Sequence, residues 1–301
     1  MYHFCTISTA DHLYKAFALF DSIKNQGHSA QLHVLVVDEN PPGKHAGVEL
    51  YSLKDISASA VAKKIISKYS SDSDKDKLRW ALKAVFLKHL LADRKTDKVL
   101  YVDSDVFFFN DYRFLFDLLD EHSFLLTPHN YPRNPNSDQI WLEANFRVGL
   151  FNAGFVGVNR NALSALDWWG ECCAYKTERN AWRGLHDDQK YLDLIPVMLE
   201  DACIIRHKGC NVADWNNHIC PRTEVNGEIL IENIFPIVFI HFNATTIRSL
   251  MTGKEPMLEK HFDAYVRQLK QHQPGIERQH LLVKHRWRDT LKLIIWDLLT
   301  K

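Results

Sequence analysis

An α/β fold, with a mixed, mainly parallel sheet flanked by helices and followed by a helical tail, is what this sequence predicts. The first observation is a βαβ unit at the start: Tyr2–Ile7 and Leu32–Asp38 are apolar runs of strand length, joined by a helical stretch that stops at Gly27. The second is that helical spacings keep alternating with strand-length runs further on, with no internal repeat and no low-complexity tract. The third is size. At 301 residues, 46% hydrophobic and 12% aromatic, the chain has the material for a sizeable core.

The elements follow in order. Ser8, Thr9 and Asp11 offer N-cap side chains for the first helix, which runs to about Gln26. Asn40–Gly47 is a loop, Val48–Leu53 a short third strand, Ser57–Tyr69 a helix and Ser70–Asp76 a polar break. Lys77–Asp93 carries Leu78, Leu82, Val85, Phe86 and Leu90 at helical spacing, with Arg79 and Lys83 four apart on one flank. Val99–Val102 and Phe124–Thr127 read as strands, separated from the next by an irregular Asn- and Pro-rich stretch, His129–Asn145, suited to a substrate loop. Phe151–Asn159 is a buried strand in which Gly154 and Gly157 allow close approach to the backbone. Ala162–Lys176 is a helix, Asp187 and Asp188 open another that Pro196 closes, and Ala202–Arg206 and Ile237–Ile240 are the final strands, the latter ending in His241. Residues 1–250 form the α/β body and 251–301 a basic, amphipathic extension, with Trp287, Leu291, Ile294, Ile295 and Leu298 on one face and Lys284, Arg286, Arg288 and Lys292 around the rest. That face either packs on the core or lies on an anionic membrane surface.

Composition excludes several classes. Lys plus Arg and Asp plus Glu both count 37, so no net basic field speaks for nucleic acid. The six cysteines show no metal-type spacing, which fits reduced, structural thiols. No signal-like N-terminus and no spanning apolar run are present, so the expectation is a cytoplasmic protein, at most peripheral to a membrane.

The stretch that points to chemistry is Val99–Phe109, VLYVDSDVFFF. Two carboxylates, Asp103 and Asp105, stand at the end of a buried strand, and i, i+2 side chains of an extended segment share one side while Ser104 faces away. Unpaired, they would repel and resist desolvation, so they call for a cation, Mn²⁺ or Mg²⁺, which normally also holds a substrate phosphate. His241 ends another apolar strand and can add a nitrogen ligand at the same sheet edge.

The motifs YVDSDV, FNAGFVGVN, DDQKYLDLIP, NVADWN and IHFN, in that order between about Lys77 and Asn243, resemble the bacterial nucleotide-sugar glycosyltransferases of the GT-A fold with a DXD motif, akin to family 8. That resemblance implies a Rossmann-like GT-A domain in which Asp103, Asp105 and His241 hold Mn²⁺ or Mg²⁺ against the donor diphosphate. It implies that Thr9, Asp11 and Tyr14 surround the nucleotide base, and that Asn152, Asp188 and Gln189 face the sugars. Arg79, Lys83 and Ser104 join the donor-binding set. Where the family commonly has a Lys-Pro-Trp group after the histidine, this chain has Phe242-Asn243-Ala244-Thr245, so Arg248 is the nearest cation to replace the lysine.

The implied activity is transfer of a sugar from a nucleotide-diphosphate donor, a UDP-sugar by preference, to a hydroxyl on a glycan or glycolipid acceptor in bacterial surface polysaccharide assembly, with retention of configuration. Departure of the diphosphate leaves negative charge that Lys83 or Arg79 stabilises, and positive charge on the sugar that Asp188 stabilises. Asp188 has an alternative use as a helix cap. Two other classes compete: a haloacid-dehalogenase-like phosphatase, with Asp103-Ser104-Asp105-Val106 as nucleophile loop, Thr127 as second motif and Asp187-Asp188 as metal acids, and a noncatalytic nucleotide-sugar binder.

Overall fold

The computed structural model describes residues 1–39, 45–71, 75–94 and 96–282. The loop expected at Asn40–Gly47, the break at Ser70–Asp76 and the whole tail face built on Trp287 fall wholly or partly outside these residues.

In chain order the strands are β1 (Tyr2–Ser8), β2 (Ala30–Val36), β3 (Val48–Ser52), β4 (Lys98–Val102), β5 (Val106–Phe108), β6 (Phe124–Pro128), β7 (Phe151–Asn159), β8 (Arg179–Asn180), β9 (Leu185–His186), β10 (Ala202–Ile204), β11 (Arg222–Val225), β12 (Glu228–Ile231), β13 (Phe235–Pro236) and β14 (Phe239–His241). A seven-stranded sheet runs β10-β6-β7-β4-β1-β2-β3. Its pairs are parallel except those of β7, which is antiparallel to β4 and to β6. The mixed, mainly parallel sheet is therefore as expected.

Continuous apolar runs form these strands because both faces are covered. Along β4, Val99 and Tyr101 face one cluster with Ile65, Phe86 and Trp169, whereas Leu100 and Val102 face another with Leu19, Phe20 and Leu115. Helices Ala60–Tyr69, Lys83–Ala92 and Leu163–Tyr175 cover the first face, and Leu13–Lys24 and Arg113–Glu121 the second. A third cluster joins Phe107, Ile240 and Phe242 to Phe262, Tyr265 and Leu269 of the helix Glu259–His272, which lies against Leu13–Lys24. Among the described residues no helix is long and apolar enough to cross a membrane, and all six cysteines are free.

Several local expectations change. The first helix is preceded by a 3-10 turn over Ala10–His12 that Thr9 does not cap; the Ala10 N–H instead donates to Asp38 Oδ1 at 2.9 Å, from beyond β2. Lys77–Asp93 divides at Leu82 into Lys75–Ala81 and Lys83–Ala92. The irregular stretch after β6 contains a helix, Gln139–Arg147, that fully buries none of its residues; only Trp141 and Ala144, with Val148 after it, pack half-buried on Tyr131, Ala213 and Trp215. Asp188 caps nothing: it precedes a 3-10 segment, Gln189–Leu194, and Pro196 sits in the first turn of the short helix Ile195–Met198, where its missing N–H costs little. The last strand is Phe239–His241. The β11–β12 hairpin adds an element beyond those expected, although its turn is written in the chain: Asn226-Gly227, with φ of 54° and 85°, is the pair that two-residue hairpins favour.

Trp169 couples core to cleft, since it is fully buried and donates its indole N–H to the Asp188 carbonyl at 2.9 Å. Trp169→Phe keeps an apolar ring but strands that carbonyl, and the expected loss in urea denaturation is about 1–3 kcal/mol. Unchanged stability would show that the bond anchors nothing.

Candidate active site

The C-terminal ends of β4, β1 and β6 open on a cleft of about 740 Å³. Asp103 follows β4, and its N–H donates to Gly154 O on β7 at 2.8 Å. Val106 N–H closes a turn back to Asp103 O at 3.0 Å, so the two acids meet around a turn rather than along one extended strand. Asp105 leads into β5, which leaves the main sheet to pair with β14; His241 stands opposite Val106, and Phe242 N–H donates to Asp105 O at 2.8 Å. Two ladders thus deliver three side chains to one point.

His241 Nε2 lies 3.1 Å from Asp105 Oδ1 and 3.9 Å from Asp103 Oδ2. One ligand atom from each of the three lies within 4.8 Å of the others. Two carboxylates and an imidazole suit a divalent cation such as Mn²⁺. Without one, burial lowers the His241 pKa but Asp105 and Asp103 more than offset it, and Asp105 is held below the usual carboxylate range, its burial outweighed by His241 and Lys15. The glycine at 154 is what admits the ring: a Cβ there would fall 2.4 Å from His241 Cε1 and 2.6 Å from Asn152 Oδ1. At Gly157 the close neighbours are instead Leu100 and Leu125.

Behind the acids lies a buried lysine. Lys83 Nζ donates to Ala153 O at 3.0 Å and lies 3.3 Å from Asp103 Oδ1 and 3.3 Å from Asp188 Oδ2. Burial lowers its pKa, but Asp103 and Asp188 overcome that and raise it, so the ammonium keeps its proton. Asp188 is pushed up to about 7 by burial against the pull of Lys83, with Asp187 and Asp103 adding to the rise. Tyr101 adds a hydroxyl donor to Asp103 Oδ1 at 2.7 Å and a ring face beneath Lys83.

Asn152 is held at both ends of its amide: Oδ1 accepts from Gly154 N–H at 3.0 Å, and Nδ2 lies 3.3 Å from His129 Nε2. His129 Nδ1 lies 2.9 Å from Gly149 O. A carbonyl can only accept and an amide nitrogen only donate, so His129 is neutral, and burial accordingly lowers its pKa to about 3. Gln189 donates to Val148 O at 3.3 Å.

The cleft therefore brings together Asp103, Ser104, Asp105, His241, Lys83, Arg79, Asn152, Asp188 and Gln189. Thr9, Asp11, Tyr14 and Arg248 are not among its lining residues. Thr9 Oγ1 bonds to His12 Nδ1 at 2.9 Å and Asp11 pairs with the same ring at 3.0 Å, leaving His12 and Lys15 on the wall. Arg79 is ion-paired with Asp76. The residues after His241 open the helix Ala244–Met251, with Asn243 Oδ1 accepting from Thr246 N–H at 2.9 Å. Lys15, His129, Tyr131, Trp141 and Trp215 also line the cleft and were not named as site residues, although His129, Tyr131 and Trp141 lie in the stretch read as a substrate loop and Trp215 lies in the NVADWN motif; Lys15 carried no signal of its own.

The WbbM bifunctional glycosyltransferase superposes with a TM-score of 0.51 at 13% identity, over 89% of this chain and 49% of that one. The galactosyltransferase LgtC, in complex with donor and acceptor sugar analogs, gives 0.49 at 14% identity, over 80% of this chain and 86% of that one. With the sheet order above, the WbbM likeness bears out the GT-A fold. The chain belongs to Glycosyl transferase family 8, which matches residues 5–246, and it is a glycosyltransferase. Membership sets the phosphatase and simple-binder alternatives aside. Two Bacillus subtilis (strain 168) proteins are related along most of their lengths: YfnF is 26% identical over 256 residues, 84% of each chain, and YfnD is 28% identical over 270 residues, 84% of this chain and 80% of that one. Both bear the description "Uncharacterized protein".

Gly154→Ala should displace the His241 ring and weaken Mn²⁺ binding at least tenfold in calorimetric titration, roughly 1.4 kcal/mol. Binding at the native level would show that the ring is free to yield. Imidazole NMR should find His129 neutral, as the Nδ1–H tautomer, down to about pH 4, because its folded pKa of about 3 keeps it unprotonated while an unfolded chain takes up the proton near pH 6.5. Stability from this group is thus lost as pH falls through that window.

Proposed function

We propose that this glycosyltransferase moves a sugar from a nucleoside-diphosphate donor, a UDP-sugar, to a hydroxyl of a glycan or glycolipid in bacterial surface polysaccharide assembly, with Mn²⁺ at Asp103, Asp105 and His241 and with retention of anomeric configuration. The observation that carries the reading is the convergence of His241, distant in sequence, with Asp103 and Asp105 on one point of the cleft. A divalent cation bound there supplies positive charge against the diphosphate. The remaining work falls to the chain itself.

Lys15 and Arg79, on the cleft wall, face the charge that the diphosphate gains on leaving, in place of the family's lysine. Lys83 fixes Asp103 from behind and orients Asp188. Asp188, ionised above its raised pKa of about 7, carries negative charge toward the sugar face, and Gln189 and Asn152 hold the ring, Asn152 being locked by His129 and Gly154. Because Asp188 is buried and tied to Lys83, it acts as an electrostatic stabiliser rather than as a mobile base. Catalysis belongs to residues 1–250, with 251–301 as an extension.

Asp103→Asn or Asp105→Asn should lower Mn²⁺-dependent hydrolysis of UDP-sugars, and transfer, by about a thousandfold or more, matching the loss on chelation with EDTA. Full activity in either variant would remove the metal assignment. Proton NMR of the product should show the donor's anomeric configuration; an inverted anomer would overturn retention.

A further inference from the structure

The cleft has two chemically different ends. Crossing the sheet through β4, Lys15 and His12 stand beyond β1, the Asp103–Asp105–His241 point stands at β4, and His129 stands beyond β6. On the β6 side a series of rings reaches from the metal ligand to the rim. Trp215 meets His241 edge-on at 5.5 Å between centroids and His129 edge-on at 5.9 Å. His129 stacks on Tyr131 at 4.7 Å and 9°, and Tyr131 stacks on Trp141 at 5.3 Å and 27°.

The outermost ring belongs to the helix Gln139–Arg147, which fully buries none of its residues. Trp141, Ala144 and the following Val148 are half-buried against a small cluster of Tyr131, Ala213 and Trp215, apart from the main core, so part of the Trp141 ring stays open to the cleft. The helix is tied down by that packing, by the Trp141–Tyr131 stack and by the Asn145 amide, which donates to Pro132 O at 3.2 Å. Its following residue, Val148, accepts from Gln189 through its carbonyl at 3.3 Å, so the ring wall adjoins the residues placed at the sugar. Polar groups are interleaved with the rings. Trp215, 6% exposed, lines the cleft with its indole N–H buried and lacking a partner among the described residues, and Asp214 lies beside it.

We propose that Trp141 and Trp215 form the acceptor subsite, and that what it takes is a pyranose of a glycan: its C–H face stacks on Trp141 and its hydroxyl edge meets Asp214 and Gln189, which line the same cleft. This rests on the transferase reading above. A pyranose combines an apolar face with a polar rim, which is the chemistry this wall offers, whereas an acyl chain would set hydrocarbon against Asp214 and Gln189. Stacking at the β6 end leaves the β1 end, with Lys15, for the nucleotide diphosphate.

Saturation-transfer NMR on the full chain with Mg²⁺ and UDP, against methyl β-glucoside, β-galactoside and N-acetyl-β-glucosaminide, tests this. At least one glycoside should show saturation concentrated on its ring-face protons. Trp141→Ala should weaken that glycoside's binding at least tenfold, and Trp141→Phe should restore it, with melting curves confirming that both variants fold. Undiminished saturation in Trp141→Ala, or UDP saturation in the native chain with none on any glycoside, overturns the subsite alone. No saturation of UDP itself overturns the donor reading and the subsite with it.

Discussion

One buried ammonium organises the centre of this protein. Lys83 is 2% exposed, and taking its charge out of water would be costly without the Ala153 carbonyl, the Asp103 and Asp188 carboxylates and the Tyr101 ring around it. Those partners come from β4, β7 and the segment leading into Gln189–Leu194, so satisfying one charge fixes the mutual position of separate pieces of chain. Removing the lysine would leave two carboxylates facing each other in low dielectric. Asp103 and Asp188 are thereby set by the same interaction.

The second constraint is space. β5 must leave the main sheet to pair with β14 for His241 to approach Asp105, and the ring can enter only because position 154 carries no side chain. Asn152 is then held between that same glycine's N–H and His129. A strand that reads as a run of small and apolar residues is thus shaped by what must lie over it. Around this rigid point the cleft grades from cations near β1 to stacked rings beyond β6, a division of labour that suits a reaction joining an anionic donor to a neutral sugar.

Much of the fold was legible because both faces of the sheet are covered: a strand buried on both sides needs an unbroken apolar run, as in Val99–Val102 and Phe151–Asn159. Elements without a buried stripe were harder. The helix Gln139–Arg147 has none, and the hairpin around Asn226-Gly227 announced itself only through its turn. In the site, Asp103, Asp105 and His241 stood out as polar residues breaking apolar strands, and the motif order supplied Asn152, Asp188 and Gln189. Lys15 gave no such contrast, and His129 and Trp215 were marked only as parts of a loop and of a motif, because their individual significance lies in neighbours that are far off in sequence.

By itself the sequence determined the α/β class, the strand that delivers two carboxylates to a sheet edge, and the kinship with family 8, because periodicity and motif order are properties of the linear chain. Only the tertiary structure decided that the acids meet around a turn, that Lys83 bridges Asp103 to Asp188 rather than standing free for phosphate, and that the Asn-rich stretch carries an aromatic wall. The physical reason is that charge pairing, ring stacking and the room left by a glycine depend on distances through space, which strand order and ladder register set and local sequence does not.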